Sequence, residues 1–173
     1  MPPKKPVEAE AGSAGDQTRN ALISTAIVLF GAKGFDATST REIAAAADAN
    51  IASIAYHFGG KGGLRLVCAE MVGNRIQAVV GPALRSLDPG EDAAAAQAAF
   101  ERVIMAVADF MLGQVEARDI ASFMVREMGV PGAVFDKVYA DFLLPVHRRL
   151  CVLLGLATGH DPESDLIRLC TFS

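Results

Sequence analysis

The 173 residues are 51% hydrophobic, carry 16 basic and 20 acidic side chains, and include three cysteines. Such a chain buries one good core, or a small head and a larger body, which excludes a disordered polyanion and a disulfide-framed miniprotein. No apolar run approaches the ~20 residues that cross a bilayer, and the opening MPPKKPVEAE lacks the apolar stretch of a secretory signal, so the expected location is the cytoplasm, with no membrane contact.

Cys68, Cys151 and Cys170 are odd in number and widely spaced, so they are expected as buried apolar groups in a reducing compartment. His57, His147 and His160 include no pair one helical turn apart and no neighbouring cysteine pair, so no metal or other cofactor is expected. Charge is uneven along the chain. Residues 16–65 carry five basic and four acidic groups, whereas residues 66–173 carry nine and fourteen. Only the first of these segments is suited to approach a polyanion.

In chain order, residues 1–15 are rich in Pro, Ala, Gly and Glu without apolar periodicity, which predicts a flexible tail. Leu22, Ile23, Ala26, Ile27 and Phe30 recur at helical spacing from about Thr18, and Gly34 offers a stop. In TSTREIAAAADAN, Ser39 with Glu42 forms a capping-box pattern, and Ile43, Ala44 and Ala47 give a short apolar face. Asp48 stands in the following turn, where positive φ is wanted, and Asn50 is placed to cap a third helix ending near Phe58. Two short helices across a three-residue turn, completed by the helix before them, make a helix-turn-helix head over residues 16–65.

A helical wheel for residues 51–58 puts Ile51, Ile54, Ala55 and Phe58 on one side and Ala52, Ser53, Tyr56 and His57 on the other. The second side is small and hydrogen-bonding. It suits the major groove, with Ser53 at base edges and Tyr56 and His57 at flanking phosphates. The adjoining IASIAYHFGGKGG is not a nucleotide-cradling loop. Ala55 stands where that pattern needs its first glycine, Gly62 where it needs Ser or Thr, and a helix precedes it instead of a strand. Gly59 and Gly60 instead let the chain turn into a fourth helix, whose first amides and Lys61 are expected to hold DNA phosphate.

TSTREIAAAADANIASIAYHFGGKGGL resembles the DNA-binding signature of the tetracycline-repressor (TetR) family, T-x-R-x-I-A-x-x-A-G-V-S-x-x-x-L-Y-x-Y-F-x-x-K-x-x-L, over about residues 18–66. The variant N-x-A-x-I-x-Y-H-F-G-x-K is similar to the CerR-type branch. The resemblance implies that Thr40, His57 and Lys61 contact phosphates while Arg41, Ile51, Ala52 and Ser53 face bases. Asp48 replaces the usual turn glycine, Ala55 a frequent tyrosine, and Gly62 and Gly63 better helix formers.

Residues 66–173 read as helical without strand-like alternation, so the expected fold is all α: the head followed by a larger helical domain. A fourth helix is predicted from Leu64 to Val80, a fifth from Asp92 to Val115, a sixth around Ile120 to Met128, and a seventh from Ala133 to Leu156 with a kink at Asp141 caused by Pro145. The final DPESDLIRLCTFS predicts a helix capped by Asp161 with Pro162 at its first position. The resemblance implies a small-molecule effector between the C-terminal helices, with candidate lining residues Met105, Phe110, Phe123, Met124, Phe142 and His147, and Arg126 for an acidic ligand. It also implies a homodimer on a nearly palindromic double-stranded operator. Since the family dimerises through two helices at this end, the chain is expected to be part of a longer protein. No nucleophile elbow, zinc-protease or dinucleotide motif is present, so an enzyme is not expected. The competing expectation is an all-α ligand-binding or interaction protein whose head does not read DNA.

Overall fold

The computed structural model describes residues 13–85, 92–130 and 132–172; the expected tail lies outside them up to residue 12. Nine α-helices and no strand occur among the described residues. The head comprises α1 (Ala14–Lys33), α2 (Thr40–Ala46) and α3 (Ala52–Phe58), and the body α4 (Lys61–Arg85), α5 (Ala93–Gly113), α6 (Ala117–Met128), α7 (Ala133–Val138), α8 (Leu144–Thr158) and α9 (Asp165–Phe172).

Local sequence explains the head's boundaries. The Ser13 hydroxyl accepts from the Asp16 amide and the Asp16 carboxylate from the Ser13 amide, closing a capping box ahead of α1. The Ser39 hydroxyl caps α2 through the Glu42 amide, but the Glu42 carboxylate turns to Lys33 on α1, so only half of the predicted box forms. Asp48 takes φ 49° in the turn, and Asn50 Oδ1 accepts from the Ala52 amide at 2.9 Å. Both follow the sequence expectation.

A single core joins head and body. Leu22, Ile23 and Phe30 of α1, Ile43 of α2, Ile54 and Phe58 of α3, Leu64 and Val72 of α4, and Ile120, Phe123 and Met124 of α6 form one buried cluster. Each fully buried large aliphatic or aromatic side chain contributes about 1.5–3 kcal/mol. The boundary expected at residue 65 therefore falls inside α4, a helix that the head and body share. The approach of α6 to α1 is tight at Gly31, where an added Cβ would lie 3.0 Å from the Phe123 backbone nitrogen.

Several predicted boundaries differ from those observed: α1 begins at Ala14 instead of about Thr18, so residues 13–15 of the expected tail cap and open it, α4 begins at Lys61 instead of Leu64, and α5 ends at Gly113 instead of Val115. The fourth helix does not end at Gly81-Pro82 but continues to Arg85, because Pro82 lies on an exposed face near the helix end. The predicted seventh helix divides into α7, a π turn over Tyr139–Leu143 and α8. The Leu144 amide reaches back to the Tyr139 carbonyl, so the wider turn absorbs the bond that Pro145 cannot make. The last helix begins at Asp165 instead of Pro162, since Asp161 Oδ1 accepts from the Glu163 amide in a separate turn and Ser164 meets the Ile167 amide.

Candidate nucleic-acid interface

The outward surface of α3 is built on two anchors. Ile54 and Phe58, one helical turn apart, are buried against α1 and α4, which fixes the rotation of α3 and leaves Ala52, Ala55 and Tyr56 exposed. Tyr56 is 85% exposed, and its ring stands edge-on to His57 at 4.9 Å between centroids. Ser53 is partly buried beside them. Ile51, which the wheel put on the buried side, is 49% exposed. It is the N-cap of α3, with right-handed helical dihedrals (φ −56°, ψ −32°), so it stands at the open end of the helix. Ala55 is likewise exposed, leaving a shallow apolar surface between Ile51 and Tyr56.

Thr40 opens α2, partly buried, and Arg41 follows it, exposed and without a charged or hydrogen-bonding partner among the described residues. The other head cations are engaged. Lys33 pairs with Glu42, Arg65 with Glu127, and the Arg19 guanidinium lies 5.6 Å from the Phe58 ring centroid.

Lys61 is placed differently from the expectation. Its ammonium donates to the Phe35 carbonyl at 2.8 Å and to the Thr38 carbonyl at 2.9 Å, and it lies 4.1 Å from the Phe35 ring centroid. It ties the start of α4 to the loop between α1 and α2. Buried Thr38 continues that tie, its hydroxyl donating to the Gly34 carbonyl at 2.8 Å. Gly63 completes the junction: a Cβ there would sit 1.9 Å from the Phe58 carbonyl oxygen, so α3 can turn into α4 only with glycine at this position.

Of the residues expected to line an effector pocket, Phe110, Phe123, Met124 and Phe142 share one packed cluster, while Met105 and His147 are not part of it. Phe123 and Met124 are buried in the core shared with the head, whereas Met105 is 59% exposed on α5. Phe110 and Phe142 pack at the edge of that core, the Phe142 ring over Gly73 of α4. His147 lies at the other end of the body, its Nε2 2.9 Å from the Thr171 hydroxyl. Arg126 donates to the Gly31 and Ala32 carbonyls at 2.9 and 2.7 Å, clasping the end of α1. An anion-binding role is expected of Arg126 from its residue type, but a guanidinium near the end of α6 also meets exposed helix-end carbonyls.

Two family profiles match this chain: residues 22–68 that of bacterial regulatory proteins of the tetR family, and residues 96–173 that of the C-terminal domain of the HTH-type transcriptional dual regulator CecR. CecR of Shigella flexneri is 34% identical over 164 residues, covering 91% of this chain and 72% of that protein. The chain belongs to the TetR family. It is a DNA-binding transcriptional regulator of the helix-turn-helix type, and its body is similar to that of CecR. The probable transcriptional regulator YttP of Bacillus subtilis (strain 168) is 31% identical over 129 residues, covering 73% of this chain and 58% of that protein. A TetR-like regulator from Rhodococcus sp. RHA1 shares the fold at a TM-score of 0.70 and 19% identity, covering 95% of this chain and 79% of that chain.

Within this TetR-family chain, sequence reasoning missed one structural pair. Arg65 Nε donates to both Glu127 carboxylate oxygens at 3.0 Å, and its Nη2 reaches Oε2 at 2.7 Å, with Glu127 only 4% exposed. A signal was present. Glu127 continues the Ile120, Phe123, Met124 spacing of the buried face of α6, where a carboxylate requires a partner.

Proposed function

We propose that this regulator binds a nearly palindromic operator as a homodimer and blocks transcription until a small molecule releases it. The observation that carries the DNA contact is the exposed α3 surface, held in fixed rotation by Ile54 and Phe58 in a head whose Arg41, on α2, is exposed. Ala52 and Ser53 are small enough to let the helix backbone approach base edges, Ile51 and Ala55 offer apolar contact to thymine methyl groups, and Tyr56 and His57 reach flanking phosphates. Thr40 adds a phosphate contact at the start of α2. Arg41 supplies the forked donor that suits guanine. Lys61 acts behind this surface by holding the loop between α1 and α2 against α4. Two heads presented one helical turn apart, or a multiple of it, require two-fold sequence symmetry in the DNA.

Footprinting and mobility shifts on the DNA upstream of its own gene test this proposal. Protection of two symmetry-related half-sites is expected. Arg41→Ala is expected to cost about 1–3 kcal/mol on the operator while changing random-duplex affinity little. Equal affinity for operator and random DNA would refute the specific-binding proposal.

A further inference from the structure

A large cavity among the described residues lies where head and body meet. It is an open cleft of about 1330 Å³ between the loop joining α1 to α2 and the outward face of α6. Its walls combine two chemistries. Phe35, Met111, Ala121, Val125 and Val130 provide apolar surface, while Lys33, Arg65, Arg118 and Arg126 bring four cations against the two carboxylates of Asp36 and Glu127. Two of the four cations are matched by carboxylates. Lys33 pairs with Glu42, Arg65 with Glu127, and Arg126 donates to two carbonyls without losing its positive charge. Arg118, exposed, has no partner among the described residues.

We infer that this cleft is an effector site for an amphipathic organic anion, whose acidic group lies between Arg118 and Arg126 and whose apolar body lies against Val125 and Phe35. A guanidinium binds a carboxylate through charge-assisted hydrogen bonds in preference to a cation or a neutral polar group, and the apolar walls add affinity that a small inorganic anion cannot gain. The site, lined by the loop after α1 and by α6, is separate from one between the C-terminal helices.

Occupancy acts on the same bonds that hold the head. An anion beside Arg126 competes with the Gly31 and Ala32 carbonyls for its guanidinium, and a body wedged against Val125 pushes α6 at its tight approach to α1. A ligand that prefers α6 displaced from α1 thereby shifts the head. That regulatory consequence rests on the operator binding proposed above; binding in the cleft does not.

Octanoate is the probe, with octan-1-ol and acetate as controls, titrated into the full chain while backbone amide chemical shifts are followed. Saturable shifts are expected at Gly34–Ala37 and Ala121–Gly129 with octanoate, and at least tenfold weaker binding of octan-1-ol and of acetate. Arg118→Met should weaken octanoate at least tenfold, and Arg118→Lys should restore most of that loss. Shifts centred on α5 and α8, equal affinity for acetate or octan-1-ol, unchanged affinity in Arg118→Met, or no saturable binding would each overturn the assignment. Operator affinity measured with and without octanoate separates the two proposals: cleft binding without operator binding refutes only the regulatory reading.

Discussion

Replacing Lys61 by Met decides between two roles for this residue. Met keeps most of the side-chain stem against Phe35 but removes the ammonium that bonds the Phe35 and Thr38 carbonyls. Hydrogen bonds from charged groups contribute about 1.5–3 kcal/mol, and a cation over an aromatic face at a partly exposed site adds about 0.5–1 kcal/mol. Water recovers some of this at the partly exposed loop, so the expected destabilisation is about 2 kcal/mol. With a urea slope of about 2 kcal/mol/M, the unfolding midpoint should fall by about 1 M. Operator affinity should also weaken, because the loop ahead of α2 is no longer tied to α4, but the slope of log affinity against log salt should stay constant. A direct phosphate interaction predicts the reverse: little change in the urea midpoint and a slope reduced by about 0.9 for each phosphate that the side chain had neutralised. Urea unfolding followed by circular dichroism, together with binding isotherms at several salt concentrations, measures both quantities. An unchanged midpoint with a reduced slope would refute the structural role.

Glu127→Gln should destabilise the chain by about 3 kcal/mol, since it leaves the largely buried Arg65 guanidinium without its countercharge; the double variant Arg65→Met, Glu127→Leu should recover part of that stability in thermal unfolding. Gly31→Ala gains about 0.5–1 kcal/mol of helix preference, yet its methyl meets the Phe123 backbone at 3.0 Å, so a net destabilisation of about 1 kcal/mol is expected in the same assay. Burial, and secondarily the Glu127 carboxylate, push the Cys68 thiol up to about 12. Native protein at pH ~8.5 should therefore carry iodoacetamide on exposed Cys170 and leave Cys68 unmodified by mass spectrometry. Because this folded value lies above the unfolded thiol's ~8.5, Cys68 contributes stability below that pH and loses it as pH rises from about 8.5 towards 12.

The head was more legible than the body because its determinants are local. Ser39, Asp48 and Asn50 act within three residues of themselves, and Ile54 and Phe58 are set by helical period. The period failed at Ile51 because that N-cap residue keeps the helical frame but stands at the open end of α3, where burial depends on what covers the end and not on the angle around the helix. The partners of Lys61 were hidden for a related reason: a lysine beside helix-start amides suggests an anion, whereas its acceptors lie 23 and 26 residues earlier in the chain. In the body, Met and Phe at helical spacing signalled burial without saying against what. Phe123 and Met124 pack on the head, while Met105 remains exposed. Pro145 correctly marked a disturbance near Asp141, but a π turn and a kink remove the same hydrogen bond, so their difference was not encoded locally.

The disposition of cations in the head has a consequence for how DNA is held. Of the five basic side chains on the head and the start of α4, Lys33, Lys61 and Arg65 face other parts of the protein, and Arg19 rests on the Phe58 ring. Arg41 alone among them is both exposed and unpartnered within the described residues. With five basic against four acidic groups over residues 16–65, the head offers little long-range attraction to a polyanion, and the acidic body adds none. In the proposed complex, affinity comes from contacts made at short range on the α3 surface, which demand that its rotation and its distance from α2 stay fixed. The internally directed charges supply that fixity: Lys61 holds the loop ahead of α2, and Arg65 with Glu127 and Arg126 with α1 join the head to α6. In the proposed operator complex, small displacements of α6 are expected to weaken binding, because few charged phosphate contacts compensate when the recognition surface shifts.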